Sequence, residues 1–214
     1  MNKLYLFFFF SLNVIATPQI PDVLIYNGKE YEWNSYNPGR DYLINNGYNV
    51  PADAIETTAN SGYYFLTYKI ENDSLFLTDV SILIENLNTR SVFKEFFKNK
   101  KKVFMETFSN ISLIGNGEKI ENIKQGWSYV YHRHYLLFEF NNGVVKKGFD
   151  FSNRQLNRFK RKLFNKYKKT EAYKVAKEKE KENIESINAD STRKISTDQY
   201  LEMVILRLVK TLDL

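Results

Sequence analysis

His132 and His134 are the only imidazoles in a chain of 214 residues that has no cysteine. They stand two apart in a β-prone run, Ser128 to Phe140. Alternate residues of a strand share a face, so both rings could reach one ion. A tetrahedral site then needs one or two more ligands, such as Asp or Glu. Glu139 falls on the opposite face by parity. The pair therefore reads in two ways. It is either two strand histidines, packed among Tyr129, Tyr131 and Tyr135 or facing solvent, or the start of a metal-dependent or hydrolytic site.

Other catalytic patterns are missing. There is no G-x-S-x-G, G-x-x-x-x-G-K-[ST] or G-x-G-x-x-G in the chain. The local acid pairs Glu30/Glu32 and Glu118/Glu121 read as solubilising charge. Without cysteine there can be no thiolate metal site, disulfide or thiol nucleophile. No cofactor is expected, and a non-catalytic binding role is preferred over the histidine-based enzyme.

Charge gives the other candidate site. Residues 17–150 hold 14 Lys and Arg against 16 Asp and Glu, a net of −2, whereas residues 151–214 hold 16 against 9, a net of +7. The excess is densest in Arg154, Arg158, Lys160, Arg161, Lys162, Lys166, Lys168 and Lys169, with no acid among them. Such a face either keeps a solvated helix apart from its neighbours or steers an anionic partner. The contact residues expected are Arg154, Arg158, Arg161, Lys162 and Lys166, pairing with carboxylates or phosphates. An acidic protein or an anionic cell-envelope surface fits them. Nucleic acid is disfavoured, because Phe159 and Phe164 read as packing groups and not as base-stacking platforms.

The N-terminus carries Lys3, then an apolar stretch from Leu4 to Ile15, then Val14 and Ala16 at the small-residue positions of a cleavage site. That is the layout of a secretory signal peptide. The stretch is about 12 residues, short of the roughly 20 that span a bilayer. The expectation is a leader over 1–16, cut near Ala16, and a secreted or periplasmic mature chain. Stability would then rest on packing, for which the 13 Phe, 14 Tyr and 2 Trp beyond residue 16 supply material.

The elements that must position these residues form an α+β chain. An antiparallel sheet, a meander of hairpins, is expected over 17–150, and a basic helical region packing on it over 151–214. The hairpins are Asp22 to Trp33 about Asn27-Gly28, Tyr63 to Ile84 about Glu71 to Ser74, and Ser128 to Phe149 about Asn142-Gly143. Gly115-Asn116-Gly117 reads as a further turn. Short helices are expected at Pro38 to Asn46, capped by Asn37, and at Ser91 to Lys98. After the capping box Ser152 to Gln155, Leu156, Phe159, Leu163 and Tyr167 recur at helical spacing. A Lys/Glu-rich helix from Thr170 through Glu185 follows. A final helix, capped by Thr197, carries Tyr200, Leu201, Val204, Ile205, Leu208 and Leu212, too apolar a face to stay in water.

The stretch Asp22-Val-Leu-Ile-Tyr26-Asn27-Gly28-Lys29-Glu30-Tyr31 resembles the opening of a family of small uncharacterised bacterial proteins. The similarity continues through Phe65 to Ile84, the Asn142-Gly143 hairpin and Lys168-Lys169-Thr170-Glu171-Ala172-Tyr173. This chain has Asn60-Ser61-Gly62 where such relatives carry Trp-Arg-Gly, and Pro38-Gly39-Arg40 where they carry Pro-Leu-Glu. The resemblance implies the mature boundaries and brings no activity with it.

Overall fold

A computed structural model describes residues 20–34, 38–57, 63–124, 127–189 and 194–213. The expected leader and Asn37 lie outside these residues.

The first hairpin pairs β1 (Asp22–Tyr26) with β2 (Lys29–Trp33). Asn27 and Gly28 both take positive φ, 50° and 72°, as a two-residue type I′ turn requires. Helix α1 (Pro38–Asn45) follows. The second hairpin joins β3 (Tyr64–Glu71) to β4 (Ser74–Leu83) through Asn72 and Asp73 alone. Strand β5 (Thr89–Ser91), helix α2 (Phe93–Phe96) and strand β6 (Val103–Phe104) come next, and both strands lie along β4. The long strands β7 (Asn110–Lys124) and β8 (Trp127–Asn141) and then β9 (Val144–Ser152) complete the sheet. Its order is β2-β1-β3-β4-β9-β8-β7.

This is an α+β fold with a mostly antiparallel sheet. It departs from a meander in two places: β1 and β3 are parallel, and β4 neighbours β9, so β7 to β9 join the sheet through the last of the three. The chain leaves β2, passes through α1 and returns to the far side of β1. There β3 buries Tyr64, Leu66, Tyr68 and Ile70 on one face. The sheet also curls, bringing β2 against β7, where Lys119 Nζ meets Glu32 Oε2 at 2.7 Å.

Gly115-Asn116-Gly117 is not a turn. It lies inside β7, whose pairing with β8 slips between Asn116 and Lys119. Gly117, at φ 76°, provides the backbone conformation of a β-bulge. The apolar runs on both sides of the slip stay paired, so the glycines bend the strand without ending it. The stretch from Val103 to Phe108 is strand only over β6, since Phe108 N–H turns back to donate to the Met105 carbonyl.

The sheet separates two cores. Leu24, Trp33, Leu66, Tyr68, Leu77, Ile114, Leu136 and Phe138 pack inside its curl. On the other face Leu137 packs under the helices, with Leu156, Phe159, Leu163, Phe164, Leu201 and Ile205. Alternate residues of β8 thus enter different cores. This accounts for the nearly unbroken apolar run Tyr135 to Phe140, which a half-wet strand would not carry.

The helical region is more broken than the periodicity implies. Helix α3 (Asn153–Tyr167) has the expected capping box: Ser152 Oγ accepts from Gln155 N–H, and Ser152 N–H donates to Gln155 Oε1. The Lys/Glu-rich stretch divides at Glu180 into α4 (Glu171–Lys179) and α5 (Lys181–Ala189), and of the two only α5 buries a side chain, Ile184. The last stretch divides at Val204 into α6 (Thr197–Met203) and α7 (Ile205–Leu208). Its cap is Ser196, not Thr197, because Ser196 and Gln199 form a second capping box. Ser91 lies in β5 and its hydroxyl donates to Asp79, so α2 is a single turn.

Candidate anion-binding furrow

Helix α3 turns its apolar stripe onto β8 and β9, and that decides where its charges go. Burial of Leu156, Phe159, Leu163, Phe164 and Tyr167 leaves Arg154, Arg158, Arg161, Lys162 and Lys166 exposed. The three arginines fall at helical spacing on the side opposite the stripe. With Asn153 and Asn157 they line one shallow hollow of about 450 Å³. Lys162 and Lys166 sit on the flank and do not line it. Lys166 instead acts on Asp213, where Lys147 is the main cause of a lowered carboxyl pKa.

The hollow is one end of a longer furrow. Asn157 and Arg161 also line a cleft of about 560 Å³ against α6, with Lys160, Ile195, Gln199, Glu202 and Met203. Lys160 and Met203 in turn border a third cleft, of about 690 Å³, that reaches β7 and α7. Arg154, Arg158, Arg161, Lys160 and Arg207 line the three clefts, and among the described lining residues the only acid is Glu202. That acid is paired to Arg161, with Nε 3.5 Å from Oε1. No ion pair involves Arg154 or Arg158 among the described residues.

Lys160 occupies the junction. It is half-buried, and its Nζ donates to the Met203 carbonyl at 2.6 Å, where α6 gives way to α7. A cation suits the exposed carbonyls of a helix end. Burial lowers the Lys160 pKa; Glu202 opposes the shift and Arg207 adds to it. In the sequence Lys160 reads as one of the solvated charges, and Arg207 stands outside the basic run. The usable signal was position: Lys160 follows Phe159 and lies one helical turn before Phe164, at the edge of the buried stripe.

The two histidines of β8 serve different neighbours. The His132 ring lies across Gly115, where a Cβ would stand 2.3 Å from its Cδ2, and its Nδ1 is 3.4 Å from the Gly117 oxygen. His134 Nδ1 lies 3.6 Å from Asp150 Oδ1, and Asn116 Nδ2 donates to the other carboxylate oxygen at 3.3 Å. Tyr31 is nearby, its pKa raised by burial and then by Asp150. Among the described residues no three His, Asp or Glu side chains gather in a way that could hold a metal ion. Nor, among these residues, is any helix long and apolar enough to cross a membrane.

The fold and the furrow thus define an α+β protein whose helical layer presents a cation-lined surface. Comparison with family models, curated proteins and solved structures finds no match.

Proposed function

We propose that this chain is an exported, non-catalytic binding module that holds an acidic protein partner on the exposed face of α3. The observation that supports it most is the hollow of Arg154, Arg158 and Arg161, two of them with no acidic partner among the described residues. Seven residues of helix separate the first arginine from the last, about 10 Å at 1.5 Å per residue. That is short for a membrane-binding surface and suits a cluster of carboxylates on a folded partner. Guanidinium forks match carboxylates with paired hydrogen bonds, which makes arginine the more selective cation here. The leader-like N-terminus supports export, where the partner would be a cell-envelope or extracellular protein.

The test uses a labelled Asp/Glu-rich peptide and anionic vesicles as alternative probes. The wild-type chain should retain the peptide in a salt-sensitive way. Arg154→Glu/Arg158→Glu/Arg161→Glu should abolish retention without altering the circular dichroism. Unchanged peptide retention overturns the assignment of this face. Binding to vesicles alone replaces the protein partner with a lipid surface.

A further inference from the structure

The cleft beneath the α6–α7 break differs in character from the arginine hollow. Its walls are Ile111 and Leu113 of β7 and Val204 and Leu206 of the α6–α7 segment. All four are only partly buried, so they leave aliphatic surface facing the space. Its polar rim is Asn34, Asn110, Lys160 and Arg207, with no acidic side chain among the described residues that line it. At about 690 Å³ it falls within the range of small-molecule sites, roughly 300–1,000 Å³.

We propose that this cleft binds an aliphatic carboxylate, its head held between Lys160 and Arg207 and its chain laid along Ile111, Leu113, Val204 and Leu206. An ammonium has three donors, and Lys160 spends one on the Met203 carbonyl. Arg207 is close enough to act on it electrostatically. Lys160 is half-buried beside the apolar recess and Arg207 is exposed at its rim, so one anion that brings its own apolar surface can pair with both. The two asparagine amides can donate to the same head group. A cation or a neutral alcohol with the same tail would gain the apolar contact and lose the charge pairing. Among the described residues the recess has no aromatic wall, so an aliphatic chain fits it better than a stacked ring.

The site does not rest on the α3 reading, and the variants separate the two. Decanoate, decanol and decyltrimethylammonium are titrated into the full chain and followed by calorimetry and amide chemical shifts. Decanoate should bind saturably and shift the amides of residues 111–113 and 204–207, and the other two probes should bind at least about tenfold more weakly. Arg207→Gln leaves the Lys160–Met203 bond intact and should weaken decanoate roughly tenfold, as should Lys160→Met, which keeps the aliphatic stem. Arg154→Glu/Arg158→Glu should leave decanoate binding unchanged. Equal affinity for the three probes, or decanoate binding indifferent to both Arg207→Gln and Lys160→Met, overturns the proposal. So does the absence of saturable decanoate binding in a chain whose spectra show it folded.

Discussion

The backbone N–H of Leu212 donates to the Glu139 carboxylate at 2.6 Å, inside the protein. Glu139 is 8% exposed and Leu212 is 2% exposed. This bond fastens the end of the described chain to strand β8. Lys147 sits beside it, 3.7 Å from the same carboxylate oxygen and paired with Asp213. Glu139→Ala should cost about 1.5–3 kcal/mol, the range for a hydrogen bond to a charged group. Urea unfolding measures the loss. Faster hydrogen exchange at Leu212 would show that the tail has come away, and a variant as stable as wild type would show that it was never anchored here.

Tyr68 is fully buried, and its hydroxyl accepts the Gly39 N–H at 2.8 Å. Tyr68→Phe removes that buried hydrogen bond and should cost about 0.5–1.5 kcal/mol. Gly39→Ala should cost more. A Cβ there would stand 2.5 Å from the Tyr68 hydroxyl and 2.9 Å from Leu66 Cδ1, and both lie in the core. Thermal unfolding ranks the two variants. A milder Gly39→Ala would mean that α1 can move away from β3.

Asp198 links α6 to α4. Its Oδ1 accepts from the Tyr173 hydroxyl at 2.7 Å and lies 3.0 Å from Lys177 Nζ. The Tyr173 bond, then Lys177, holds its carboxyl below the ordinary value against some opposing burial. A carboxyl whose pKa is lowered by folding stabilises the native state above its unfolded pKa, about 3.9. That stabilisation is lost as pH falls through the lower native value. The stability gap between wild type and Asp198→Asn should therefore be full near about pH 6 and close toward about pH 2. Denaturant midpoints across that range decide it, and a constant gap would dissociate the stabilisation from the ionised carboxylate.

Export predicts a processed chain. Intact-mass measurement on protein recovered from the native cell envelope or medium should find an N-terminus near Thr17. A full-length cytosolic polypeptide retaining Met1 would remove the proposed location, and with it the choice of partner.

The hairpins were legible because turn chemistry is local. Asn27-Gly28 and Asn142-Gly143 supply positive φ at adjacent positions, and flanking residues cannot easily override that. The α3 boundaries were equally readable, since a capping box and a helical apolar stripe are properties of a single segment. The arginine face followed from the same stripe, because side chains opposite a buried face have nowhere else to point.

Residue order alone did not reveal what depends on segments distant in the chain. Whether Gly115 to Gly117 turned the chain or bent it was decided by β8, which stays paired on both sides of the slip. The parallel contact of β1 with β3 depends on where the chain re-enters the sheet after α1. His132 and His134 stand two apart on β8, but beside the bulge one covers a glycine and the other meets Asp150. Lys160 reads as one more solvated charge until α6 ends above it and turns its last carbonyl inward. Periodicity records which side of a segment is apolar, and only the packed chain supplies what that side and its edges meet.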